Sequence, residues 1–199
     1  MGRHKNCPNL GPVASPSCVY IHNIEVNTGW FTRENATRVS SMLTLPREEV
    51  FREAVLSAMQ SMDLYDSTYA YEMGMSRQDI YRFRKSTYSI SYEMAATMDG
   101  YFKLHMLPDE DALIDVFNEL YKEANVWYAE PALIAFDLNM SDDMVISWIK
   151  RRGQRRPIGY SKVKAICDYV KPQFSKIAKG VILRGQTRFM MPSRYDRYV

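Results

Sequence analysis

Cysteine is scarce in this chain. Cys7, Cys18 and Cys167 are three in 199 residues, an odd number that builds no disulfide framework and points to a reducing, cytoplasmic setting. Histidine is as rare: His4, His22 and His105 stand at no recognisable nucleophile spacing from a Ser, Cys or carboxylate. The nine glycines are scattered, so no glycine-rich phosphate loop forms. Nowhere do about 18 apolar residues run together, which excludes a membrane-spanning helix of the usual length. The N-terminal stretch is polar and proline-rich, so no signal peptide is expected. These absences leave no catalytic constellation: no enzymatic activity, no cofactor and no membrane are expected.

What is present is apolar material and an uneven charge. Hydrophobic residues make up 46% of the chain, enough for one large or two small cores. A net charge of +3 hides a strong polarity: residues 144–199 carry 14 Lys and Arg against Asp168 and Asp196, a net of +12, which leaves the other 143 residues at −9. Such a split is either the footprint of a polyanion on the basic part or an acidic surface lying on a basic one within the molecule.

One stretch organises the rest. Residues 69–83, Tyr-Ala-Tyr-Glu-Met-Gly-Met-Ser-Arg-Gln-Asp-Ile-Tyr-Arg-Phe, read as a short helix, a turn and a second helix. Gly74 suits the left-handed exit of the first helix, and Ser76 caps the second. Small Ala70 permits a close crossing, and Met73, Met75, Ile80 and Phe83 seat both helices on one core. Sixty-five residues on, the pattern recurs over 134–148: Ala70 meets Ala135, Gly74 meets Asn139, Ser76 meets Ser141, Ile80 meets Val145 and Phe83 meets Trp148. Asn is the next-best residue for a left-handed exit. After three extra residues the match resumes, Ile90-Ser91-Tyr92 against Ile158-Gly159-Tyr160, Met98 against Ile166 and Tyr101 against Tyr169. This is an internal duplication.

These residues resemble the lambda-repressor-like (Cro/repressor, or XRE) helix-turn-helix family, whose pattern runs Leu-Ala, three residues, Gly, a hydrophobic residue, Ser, three residues, Ile. The resemblance implies a mainly α fold with two helix-turn-helix units in tandem, flanked by an irregular N-terminal arm and a basic C-terminal tail. The expected divisions are an arm at 1–31, a first unit at 32–107, a second at 108–175 and a basic aromatic tail at 176–199. Within them, Thr32 caps a helix to Leu43. Pro46 opens another with Val50, Phe51, Ala54, Val55, Ala58, Met59 and Met62 on one stripe. Ser91 to Phe102 closes the first unit, and Asp109 starts the second unit's first helix, which runs to Trp127. Short strands are expected at 19–26 and 181–183.

The resemblance also implies a partner, double-stranded DNA, and a task, transcriptional regulation as a repressor or activator. Arg77 forms bidentate pairs with guanine and Gln78 with adenine, and Tyr81 and Arg82 complete the base-reading set; the plain alternative is a solvated helix face. Ser76, Arg84 and Lys85 are placed to hold phosphates, as are Lys150, Arg151, Arg152, Arg155, Arg156 and Lys162 around the second unit's loop. Asp142 and Asp143 stand where a reader offers donors, and their favourable place in a helix dipole explains them structurally. The second unit therefore positions while the first specifies, or else Met144, Ile146 and Trp148 make it a protein-binding or homodimer face, Trp148 otherwise being core like Phe83. The rival class is a phage or mobile-element interaction protein gripping a protein partner through the second unit or the tail, with non-specific nucleic-acid binding. RNA binding by the aromatic tail is a third reading. His4, Cys7, Cys18 and His22 are a weak zinc candidate, against a plain arm with a buried Cys18.

Overall fold

The computed structural model describes residues 29–86, 89–150 and 157–184, with the side chains of 150 and 180–184 outside the description. Within them the fold is mainly α: α1 Arg33–Met42, α2 Glu48–Met62, α3 Asp66–Glu72, α4 Arg77–Arg84, α5 Tyr92–Phe102, α6 Glu110–Lys122, α7 Pro131–Asp137, α8 Asp142–Lys150 and α9 Tyr160–Arg184, with a 3-10 turn at Trp127–Ala129. Side-chain caps start four of the helices. The oxygens of Thr32, Ser76, Ser91 and Asp109 each accept a backbone N–H three residues on, all at 3.1 Å; such caps contribute about 1 kcal/mol each.

The duplicated residues produce duplicated backbone. Gly74 and Asn139 lie in the left-handed region at φ +65° and +50°, where a helix exits with little strain for these two residue types. Behind them the Met75 N–H donates to the Ala70 carbonyl and the Met140 N–H to that of Ala135, both at 2.8 Å. Ahead of them Ile80 and Val145 each donate to the serine four residues back. We refer to α3–α4 and α7–α8 as the first and second corners.

A reciprocal contact joins the two repeats. Ser91 and Gly159, equivalent positions, form one antiparallel bridge, in which Tyr92 N donates to Ile158 O and Tyr160 N to Ile90 O, each at 2.8 Å. The tyrosines then cross over. Tyr92 Oη donates to Pro108 O at 2.8 Å and Tyr160 Oη to Pro46 O at 3.0 Å, each proline standing two residues before its own unit's long helix. Their rings stack, with centroids 6.1 Å apart. When residue i contacts j and its counterpart j contacts i, the relation is that of a two-fold axis. Around it a single core gathers Phe51, Val55, Ile80, Phe83, Met98, Phe117, Leu120, Val145, Trp148, Ile166 and Val170, all fully buried.

Several expectations are corrected. Val50 and Met62 are 48% and 45% exposed, because α2 buries only the narrow row Phe51, Val55 and Met59. The helix expected to reach Trp127 stops at Lys122. Residues 176–184 continue α9 rather than starting an irregular tail, and 181–183 are helical, not a strand. Pro172 lies inside that helix without ending it. The segment beyond it is held by Phe174, which stacks on Phe31 and meets Trp30 edge-on, and by buried Ala178. Trp30 and Phe31, at the end of the segment read as an arm, are thus core residues. The strand expected at 19–26 lies outside the described residues.

Candidate nucleic-acid interface

The first corner is fixed from behind. Tyr69 is fully buried and its hydroxyl donates to the Met59 carbonyl at 2.8 Å; Ala70, Ile80 and Phe83 are buried beside it. The guanidinium of Arg52 lies 4.7 Å from the Phe83 ring centroid, donates to the Phe83 carbonyl and pairs with Glu48 at 3.0 Å. A cation on the last carbonyls of α4 is favourable for the helix dipole. On the other flank Arg84 Nε meets Asp66 Oδ1 at 2.7 Å, tying the end of α4 to the start of α3.

With its inner side anchored, α4 presents Arg77, Gln78, Tyr81 and Arg82, all exposed. The four stand on one short helix, so the reading set expected from the sequence occurs as one face. The phosphate set is divided. Lys85 is exposed, its Nζ 6.0 Å from the Tyr81 ring centroid. Ser76 accepts from Asp79 N and donates to Asp79 Oδ2 at 2.6 Å, so its hydroxyl serves the cap, and Arg84 is engaged by Asp66. Lys162 is exposed, with Nζ 3.5 Å from Met144 Sδ beside the first turn of α8. The side chain of Lys150, and Arg151, Arg152, Arg155 and Arg156, lie outside the described residues, as do His4, Cys7, Cys18 and His22.

Two exposed residues of the first corner escaped the sequence reading. Tyr65 and Tyr71 are 84% and 88% exposed, framing the corner with aromatic rings that carry a hydroxyl. The available signal was their phase, since both fall off the buried row of Tyr69, Ala70 and Met73.

The second corner repeats the backbone with different surface chemistry. Ser147 and Ile149, in the places of Arg82 and Arg84, are 6% and 2% exposed. Trp148 is fully buried like Phe83, and its Nε1 donates to Glu110 Oε1 at 2.7 Å. Asp142 and Asp143 are exposed at the positions of Arg77 and Gln78.

Elsewhere the described residues offer less. A cleft of about 500 Å³ between α1 and α9 is lined by Arg33, Ser40, Phe174 and Lys179 among others, but the hydroxyls of Thr37, Ser41 and Thr44 on its wall donate to carbonyls of α1 itself. Among the described residues no group of three or more His, Cys, Asp or Glu is placed to hold a metal, and no helix is long and apolar enough to cross a membrane.

No family model, curated protein or solved structure matches the chain. Its function must be read from its own residues.

Proposed function

We propose that this protein binds double-stranded DNA sequence-specifically in transcriptional regulation. The first corner reads bases in the major groove through Arg77, Gln78, Tyr81 and Arg82, while the basic loop after α8 grips phosphates. The observation that carries this reading is the outward face of α4: a guanidinium and an amide, both exposed in the first turn of a helix whose opposite side is fully buried. Those groups match the donor and acceptor pattern of guanine and adenine edges, and the start of a recognition helix is the part that approaches them. The family resemblance of the two corners supports the same reading.

Selection of random duplexes by the full chain, followed by salt-dependent binding of enriched and scrambled sequences, tests it. An enriched motif is expected. Arg77→Ala relaxes it at one position by about 1–3 kcal/mol, whereas Arg151→Ala with Arg152→Ala weakens all sequences alike and flattens the salt slope. Equal, sequence-independent loss from both variants rejects the division of labour. Binding without any enriched motif rejects base reading altogether, and leaves the interaction-protein reading favoured by the apolar and acidic outer face of the second corner.

A further inference from the structure

The cleft between α1 and α9 sets two conditions on whatever fills it. Its walls ask for few hydrogen bonds, because the hydroxyls of Thr37, Ser41 and Thr44 already donate to carbonyls of α1, and Ala36, Phe174 and Ala178 make part of its lining apolar. Its rim is cationic. Arg33 and Lys179 line it and no acidic side chain does, and among the described residues neither cation has an ion-pair partner. The occupant that suits this lining is mainly apolar and carries a carboxylate.

The chain delivers such a segment to the edge of the cleft. The described residues begin at Gly29, and Trp30 is held in place: its carbonyl accepts from Asn35 Nδ2 at 2.8 Å, and its ring meets that of Phe174, a residue of the cleft, edge-on with centroids 6.3 Å apart. Just before it, residues 19–26 read Val-Tyr-Ile-His-Asn-Ile-Glu-Val, and Glu25 is the one acidic residue of the first 28. Reach is ample. From Trp30 to Arg33 the chain covers at most about 11 Å, and from Arg33 to Thr44 the helix adds about 16 Å, so the far end of the cleft lies at most about 27 Å from Trp30. Extended, the chain spans about 36 Å from Val19 to Trp30 and about 16 Å from Glu25 to Trp30, so the segment reaches the far end and Glu25 reaches Arg33. So short a tether gives an effective concentration of the order of millimolar.

We propose that residues 19–26 dock in the cleft between α1 and α9, with Glu25 paired to Arg33 and Lys179 and the apolar side chains of the segment against Ala36 and Phe174. This assignment does not depend on DNA binding. Limited chymotrypsin digestion of the full chain reads it, because Tyr20 is the one Phe, Trp or Tyr among the first 29 residues. Where cleavage follows the open population, nine-tenths occupancy slows it about tenfold, and that protection is expected in the wild type relative to Ile24→Asn with Val26→Asn. Exposed ion pairs are weak, so Glu25→Lys, which turns attraction to Arg33 and Lys179 into repulsion, is expected to speed cleavage by about fivefold. Arg33→Glu with Lys179→Glu does the same, and combining all three charge reversals restores the protection. Unchanged resistance at Tyr92 and Tyr160, both fully buried, shows that each variant remains folded. Equal cleavage after Tyr20 in the wild type and every variant overturns the docking. Protection that survives both sets of charge reversals overturns the assignment to this cleft. Protection that grows with protein concentration overturns the intramolecular assignment and gives the cleft to the same segment of a second copy.

Discussion

Gly74 and Asn139 occupy the same place in two turns, and the comparison separates what the position requires from what glycine adds. A Cβ built on Gly74 meets no atom within 4 Å, so substitution there is opposed by the backbone conformation alone. Left-handed backbone costs most L residues roughly 1–2 kcal/mol and asparagine less. Gly74→Asn is therefore expected to cost a few tenths of a kcal/mol and Gly74→Val at least about 1 kcal/mol, read as the shift in chemical denaturation midpoint. Equal losses would place the penalty in packing rather than in φ. The position was legible from the sequence because it depends on one residue's own sterics. Tyr65 and Tyr71 were not, since their exposure depends on which side of α3 meets the core.

At the level of the helix, α4 and α8 show how one local plan serves two surfaces. Both start just after a serine, bury a branched residue in the middle and an aromatic near the end, and follow a left-handed turn. Their first turns differ: Arg77 and Gln78 in one, Asp142 and Asp143 in the other. Because acidic residues favour a helix N-terminus by about 0.3–1 kcal/mol, Arg77→Asp with Gln78→Asp is expected to hold or slightly raise the melting temperature while abolishing the DNA binding proposed above. A large fall in melting temperature would show instead that Arg77 and Gln78 carry fold stability. Helix starts were the most legible feature of the sequence: Thr32 and Ser76 cap as expected, and Ser91 and Asp109 stand at the expected starts of α5 and α6. Helix ends were less so, since α9 runs on past Pro172 to where Phe174 packs on distant Trp30 and Phe31 and Ala178 is buried.

Across the whole molecule, the crossed tyrosines bind the repeats into one body. Burial raises the Tyr92 and Tyr160 hydroxyls well above the ordinary tyrosine range and does the same to the Cys167 thiol; a hydrogen bond to Glu72 pushes Tyr101 up to about 12. Each folded-state value lies above its unfolded one. Their contribution is complete below the unfolded values, about 8.5 for Cys and 10 for Tyr, and is lost as pH rises beyond them. Melting followed from pH 7 to 11 is expected to show a plateau, then a steep fall above about pH 9–10. Tyr92→Phe with Tyr160→Phe lowers the plateau, because the Pro108 and Pro46 carbonyls lose their donors, at about 0.5–1.5 kcal/mol per hydrogen bond lost. The same pair flattens the alkaline fall. A variant profile parallel to the wild type would assign that fall to other groups.

Local pattern by itself determined that this chain is mainly helical, where most helices begin, which residues turn the two corners and that the corners are copies. Each of those features is decided within a few residues, by a cap, a left-handed φ or a 3.6-residue period. Only the tertiary structure decided that Ser91 meets Gly159, that each repeat's tyrosine anchors the other repeat, and that α4 turns its polar residues outward while α8 buries Ser147 and Ile149. Those outcomes depend on contacts between residues up to 114 positions apart, and local sequence pattern does not encode which distant surfaces will meet.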